Sequence, residues 1–180
     1  MDPVIRSDRL ALRHATPDAV DAVQRCIHDP RVHRNVAPIP PAQPREVTRA
    51  WIETQPAGRE ADTDHVYAIT AGGEFSGVIG LHRSATAEPF AIGYWLDPAA
   101  WGRGYATEAG RAMIDALERS RGPQRVDSGY FLDNPASGHI LRKLGFRRVG
   151  ENTFYCARRD AVLPHAVMDC PAGASPQEPA

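Results

Sequence analysis

Residues 101 to 109 read Trp101-Gly102-Arg103-Gly104-Tyr105-Ala106-Thr107-Glu108-Ala109. An apolar run, Phe90-Ala91-Ile92-Gly93-Tyr94-Trp95-Leu96, closed by Asp97-Pro98, precedes them. Behind them Ala106, Gly110, Met113 and Leu117 fall on one face of a helical pattern. Strand, glycine-punctuated loop and helix N-terminus in that order make an anion site, because unpaired amides and the helix dipole point the same way. Gly102 and Gly104 let the backbone approach a ligand closely. The spacing therefore predicts a pyrophosphate held by the amides from Gly102 to Thr107. A P-loop would need Gly-Lys-Ser/Thr, and the only lysine is Lys143. A dinucleotide fingerprint would need a third glycine where Thr107 stands. Nucleoside triphosphate and NAD are both disfavoured.

A second segment points to the same ligand. Asn134-Pro135-Ala136-Ser137 opens a short helix that ends at Leu144-Gly145-Phe146. Asn134 suits the N-cap, Pro135 the first helical position and Gly145 the left-handed C-terminal stop. Tyr94-Trp95-Leu96-Asp97-Pro98 with the glycine loop behind it resembles the acetyl-CoA-binding motif of the GNAT acyltransferase superfamily. The branch it resembles most includes the ribosomal-protein N-terminal (alanine/serine) acetyltransferases. The Asn-x-x-Ser and Leu-Gly-Phe pair resembles that family's second cofactor motif. Arg9-Leu10-Ala11-Leu12-Arg13 with Thr16-Pro17-Asp18 looks like its opening strand and helix cap. The likeness spans residues 5 to 170.

The resemblance implies an α/β (α+β) fold: a central mixed, mostly antiparallel twisted sheet flanked by helices. Two strands splay into a V-shaped slot that binds acetyl-CoA as a cosubstrate, with no metal. It implies that the Tyr94–Leu96 edge pairs with the pantetheine arm as a neighbouring strand would, an N–H near Trp95 or Leu96 facing the thioester oxygen. Cofactor contacts are then Tyr94, Trp95, Leu96, Gly102, Arg103, Gly104, Tyr105, Ala106, Thr107, Asn134 and Ser137. Tyr94 and Trp95 contribute through their backbone.

Acyl transfer to an amine also needs a group to deprotonate the ammonium and one to protonate the leaving thiolate. Where many family members carry a Tyr for the second task, this chain has Leu141; Ser137 is the nearest hydroxyl. Where the branch often carries a Glu, this chain has Ala91. Glu88, placed on the same predicted strand, and His82, ending the neighbouring one, are the candidate bases. A base acting through water stays open. Glu108 in a first helical turn is explained by the dipole alone.

The implied activity is transfer of an acetyl group from acetyl-CoA to a primary amine, a protein N-terminus or a small molecule. Transfer is direct, within a ternary complex, since Cys26, Cys156 and Cys170 sit in no nucleophile motif. The alternative is a non-catalytic acyl-CoA-binding sensor, which would release no thiol with any amine.

The elements that position these residues follow from pattern and bulk properties. A chain of 180 residues suits one domain, 1–170, followed by a proline-rich frayed tail, 171–180. A net charge of −1 gives no sign of nucleic acid or an anionic membrane as partner. Three unpaired-looking cysteines and no leader pattern after Met1-Asp2-Pro3 suggest a soluble, cytoplasmic chain. Strands are predicted at 9–14, 66–70, 76–82, 88–96, 125–132, 147–157 and 163–169. Helices are predicted from Thr16, over about 45–55, over 105–119 and from Asn134. Five prolines between residues 30 and 45 exclude a long element there, and 57–64 reads as a loop. Oligomeric state is open, a sheet-edge homodimer being common in such folds.

Overall fold

The structure, a computed structural model, describes residues 1–40 and 42–173. The chain runs through β1 (Val4–Arg6), β2 (Leu10–His14), a 3-10 turn, α1 (Val20–Ile27), the single turn α2 (Pro30–His33) and α3 (Arg45–Glu60). Then come β3 (Asp64–Ala71), β4 (Glu74–His82), β5 (Phe90–Leu96) and α4 (Tyr105–Arg121). β6 (Val126–Phe131), α5 (Pro135–Lys143), β7 (Arg147–Cys156) and β8 (Ala161–Cys170) complete it. The eight strands form one sheet in the order β1-β2-β3-β4-β5-β6-β8-β7. Among the described residues only β5 and β6 pair in parallel. This is the expected mixed, mostly antiparallel sheet.

Strand alternation sorts side chains onto two faces. One carries Leu12, Tyr67, Ile69, Ile79, Leu81, Phe90 and Ile92, packed under Ala109, Met113 and Leu117 of α4. The other carries Val66, Ala68 and Val78 under Val20, Val23 and Ile27 of α1 and Ile52 of α3. α4 is the crossover that a parallel pair requires. Gly122, with φ of 75°, ends it. At the end of α5 Gly145 has φ of 91°, and the Phe146 N–H closes on the Leu141 carbonyl at 3.0 Å, the expected left-handed stop.

Several expected boundaries moved. β1 was not anticipated; its three residues are too few to show a period. Thr16 makes no side-chain cap, and a 3-10 turn over Pro17–Ala19 precedes α1. The second helix continues through Pro56 to Glu60, overriding the predicted loop. Thr54 Oγ1 and Gln55 Nε2 both donate to the Trp51 carbonyl at 2.8 Å in the turn that Pro56 interrupts. The expected strand from Glu88 begins at Phe90, because Pro89 has no N–H to pair and Glu88 closes a turn on the Ala85 carbonyl at 3.0 Å. The connection left between the strands expected at 147–157 and 163–169 shortens to residues 157–160. Of the expected tail, 174–180 lies outside the described residues.

The start of β5 is held by a charged cluster. Phe90 is 1% exposed, with the Arg83 guanidinium 4.2 Å from its ring centre and the His65 ring 5.6 Å away. Asp62 ties these together: its carboxylate pairs with Arg83 and Arg121 and meets His65 Nε2 at 2.7 Å. Burial opposes ionisation of Asp62, but the hydrogen bonds from His65 and Arg121 and the charges of Arg121 and Arg83 outweigh it. Its carboxyl is held below the ordinary 3.8. Stability from such a group is present above its unfolded pKa and is lost as pH falls through the depressed folded value. Asp62→Asn, which tolerates the left-handed φ of 57°, is expected to lower Tm by about 2–10 °C near neutral pH. That difference should close on acidification below 3.8, read by thermal melts of both proteins across pH. A gap unchanged by acid would remove Asp62 from the cluster's energetics.

Candidate active site

β5 and β6 pair only as Phe90–Val126 and Ala91–Asp127. Beyond that point they diverge, and the Ser128 hydroxyl donates to the Ile92 carbonyl at 2.9 Å where a backbone bond would otherwise lie. The opposite edge of β5 pairs with β4, the Asp97 N–H donating to the Ser76 carbonyl at 2.9 Å. Backbone direction alternates along a strand, so Ile92, Tyr94 and Leu96 face the gap while Ala91, Gly93 and Trp95 face β4. The Leu96 carbonyl receives the Trp101 indole N–H at 3.1 Å. Lining the gap beyond Ile92 are therefore the N–H and carbonyl of Tyr94 and the N–H of Leu96. Trp95 is not brought there. Its backbone turns to Val78, and its ring packs beside Phe75, 6.1 Å centre to centre, on the α1 side of the sheet.

The glycine loop lies at the open end of this gap. Gly102 and Gly104 have φ of 74° and 79°, left-handed values that other residues rarely adopt. The first bond of α4 runs from the Glu108 N–H to the Gly104 carbonyl at 3.1 Å, so the Tyr105, Ala106 and Thr107 amides have no helical partner. Ala106 is buried and offers only that amide; Arg103 is exposed. Left-handed glycines, free amides and an unpaired strand edge fit a phosphate-bearing, amide-containing donor such as acetyl-CoA. Glu108 does more than face the dipole. It accepts from Ser7 Oγ at 2.7 Å, the Arg9 N–H at 2.8 Å and Arg9 Nε at 2.7 Å. Burial resists its charge, but these bonds prevail and keep its carboxyl below the ordinary 4.5.

Across the gap, Asn134 Oδ1 caps α5 by accepting the Ser137 N–H at 3.4 Å. The Ser137 hydroxyl lies 3.1 Å from the Tyr94 hydroxyl, so β5 reaches α5 through two side chains. Burial pushes the Tyr94 phenol up to about 12, against a smaller opposing effect of the Ser137 bond. Leu141 is fully buried in the core.

The two candidate bases share a cleft of about 510 Å³ on the opposite face of the sheet, with Ala91 and Asp127 in its lining. His82 lies directly across from Ala91 on β4, and across from Asp64 on β3. Its Nδ1 meets Asp64 Oδ1 at 2.8 Å, and the Thr63 hydroxyl holds the other carboxylate oxygen at 2.8 Å. Burial opposes ionisation of Asp64, yet the His82 and Thr63 bonds keep it below the ordinary 3.8. His82 Nε2 lies over Gly80, where a Cβ would meet it at 2.6 Å. Glu88 is exposed on its loop, and Asp127 accepts from Arg125 Nε at 2.8 Å. Asp64 and Asp127 were missed from the sequence. Only cross-strand register brings them here, and no local spacing signals it. Cys26, Cys156 and Cys170 are buried free thiols.

A profile of the acetyltransferase (GNAT) domain family matches residues 9–147. YoaA of Bacillus subtilis (strain 168), an uncharacterized N-acetyltransferase, is 29% identical over 153 residues, 83% of this chain and 86% of its own. RimL, the ribosomal L7/L12 alpha-N-protein acetyltransferase, in complex with coenzyme A, has a TM-score of 0.80 at 20% identity, covering 96% of this chain and 99% of that one. A Salmonella typhimurium acetyl transferase that modifies the N-terminal serine of 50S subunit protein L7/L12 gives 0.81 at 20% identity, over 93% and 98%. The microcin C7 self-immunity acetyltransferase MccE, in complex with acetyl-CoA and AMP, gives 0.80 at 17%, over 92% and 93%. At these identities the structural likeness is one of fold.

The Ser137 hydroxyl, beside a phenol that burial keeps protonated, is placed to hydrogen-bond a departing thiolate. Ser137→Ala is expected to lower kcat on the order of 5- to 100-fold, the cost of one donor being about 1–3 kcal/mol, while the acetyl-CoA Kd moves far less. Rapid-mix turnover set beside isothermal titration separates the two. A change in Kd alone would make Ser137 a binding residue only.

Proposed function

Because the chain belongs to the acetyltransferase (GNAT) domain family and is thereby an acetyl-CoA-dependent acyltransferase, we propose that it acetylates a primary amine, a protein N-terminal amine foremost. One observation carries the reading. β5 and β6 part beyond Ala91, with the left-handed glycine loop and the Tyr94–Ser137 hydroxyl pair on one face of the sheet and the His82–Asp64 pair beside the seam on the other. That RimL and the Salmonella enzyme act on the L7/L12 N-terminus supports a peptide acceptor over a small amine.

Acetyl-CoA, when bound, supplies the acetyl group as a thioester. The amides from Gly102 to Thr107 hold its pyrophosphate, with Asn134 and Ser137 beside the pantetheine end. The free edge at Tyr94 and Leu96 pairs with the arm, and an N–H of that edge stabilises charge developing on an oxygen inside the gap. In the cleft, His82 Nε2 takes a proton from the ammonium, while Asp64 fixes the other ring nitrogen and stabilises the imidazolium. The Glu88 and Asp127 carboxylates attract the ammonium before it is deprotonated. On the other face the Ser137 hydroxyl, beside the Tyr94 phenol, donates a hydrogen bond to the sulfur and stabilises the thiolate as it departs. The base and the thiolate's partner thus act from opposite faces, so neither group must do both tasks.

A coenzyme A release assay over peptide amines and small amines tests the acceptor; release with small amines alone would overturn the peptide assignment. With the working acceptor, kcat/KM should rise along an acidic limb as the base loses its proton. His82→Ala is expected to erase that limb and lower kcat on the order of 10²-fold or more. Glu88→Gln should keep the limb and mainly raise KM for the amine. The reverse pattern would move the base to Glu88, and a limb untouched by either change would leave the deprotonation to water.

A further inference from the structure

Resting on the assignment of the 102–107 loop to the pyrophosphate, we propose that Arg9 is a positioning residue. It locks the Arg103–Gly104 peptide so that its N–H faces the phosphate. Arg9 lies just before β2, 94 residues from the carbonyl it binds. Its guanidinium makes two attachments at once. Nε bonds Glu108 Oε2 at 2.7 Å, with Nη2 on the same oxygen at 2.6 Å, and Nη1 donates to the Arg103 carbonyl at 3.0 Å. Glu108 is in turn fixed by Ser7 Oγ and by the Arg9 N–H. The Arg9 guanidinium lies over the Tyr105 ring, 5.0 Å from its carbon to the ring centre.

The peptide unit is planar and trans, so its carbonyl and its N–H point in opposite directions. Holding the Arg103 carbonyl toward Arg9 turns the Gly104 N–H away from Arg9, to the side where the Tyr105–Thr107 amides are free. Gly104, at φ of 79°, leaves this peptide able to rotate, and among the described residues no other hydrogen bond reaches the Arg103 carbonyl. A flipped peptide would present a carbonyl oxygen to the phosphate and repel it. Arg9 supplies the missing constraint from outside the loop. Its charge is largely neutralised by Glu108, so geometry is its main contribution. Lysine cannot replace it, having one nitrogen for two attachments 94 and 99 residues away in the chain.

The test compares the affinity of the full chain for acetyl-CoA and for S-acetylpantetheine, which has the thioester and the arm but no pyrophosphate. Arg9→Ala and Arg9→Lys are both expected to weaken acetyl-CoA about tenfold, one well-placed charged-group hydrogen bond being of that order. S-acetylpantetheine affinity should move less than twofold, which also reports that the variants are folded. Equal weakening of both ligands would make Arg9 a general structural residue and overturn the lock. Restoration by Arg9→Lys would replace the lock by simple charge attraction. If the unsubstituted protein bound S-acetylpantetheine as tightly as acetyl-CoA, the loop would not hold the pyrophosphate, and both assignments would fall.

Discussion

Two register positions hold β5 against β6, and the rest of the molecule is arranged around that short seam. A parallel pair needs a crossover, here α4, and the crossover must leave β5 at its C-terminal end. The helix N-terminus is therefore delivered to the place where the strands have parted. Two pairs of residues are too few to fix such an angle, so side chains complete the seam. Ser128 substitutes a hydroxyl for a ladder N–H at the point of divergence. Behind it Phe90 is gripped by guanidinium groups and Asp62, an arrangement that resists any further peeling of β5 from its neighbours. The slot is open because the apex is rigid.

The seam also divides the chemistry. On the α4 side lie the loop, α5 and the Tyr94–Ser137 pair; on the other lie His82, Glu88 and Asp127. The lining there is thin, since Ala91 and Gly93 put almost nothing above β5 and Gly80 almost nothing above β4. Where the resemblance led one to expect a carboxylate on β5, the nearest ordered acid–base pair is one and two strands away. His82 stands across from Ala91, its ring over bare Gly80 backbone and anchored on Asp64 of β3. In the proposed reaction this imidazole takes the part of the carboxylate that Ala91 lacks.

The geometry of the glycine loop and of the α5 cap was legible because its determinants are contiguous. Gly102 and Gly104 are two residues apart and set the loop's backbone, and Asn134 and Ser137 are three apart in one helical turn. The surroundings of His82 were not legible. His82 and Asp64 are 18 residues apart and meet only through the β3–β4 register, which alternating apolar residues constrain by parity alone. Trp95 shows the same limit. Its presence in the motif run suggested a place in the slot, but one step of the two-residue period turns it to β4 and the α1 layer. Pro56 shows a different one: a helix packed through Ile52 and Thr48 absorbs a proline that local rules would make its end.

Glu108 illustrates why a sufficient local explanation can still be incomplete. A carboxylate in the first helical turn is accounted for by the dipole, yet it also gathers Ser7 and Arg9 from the opposite end of the domain. The same lesson applies to charge. A formal net charge of −1 says little about partners, because the charges are sorted. Arg103 stands exposed at the loop that would meet an anionic nucleotide, while Arg9 beside it is paired with Glu108. Asp64, Glu88 and Asp127 stand around the cleft that would meet a cationic amine. Asp127 is paired with Arg125 and Arg83 with Asp62, so among the described residues Glu88 is the lining carboxylate without a salt bridge. A nearly neutral chain can thus place an exposed cation at the loop and an exposed carboxylate at the cleft. Two reactants of opposite charge would each be drawn to the face from which the chemistry needs it to arrive.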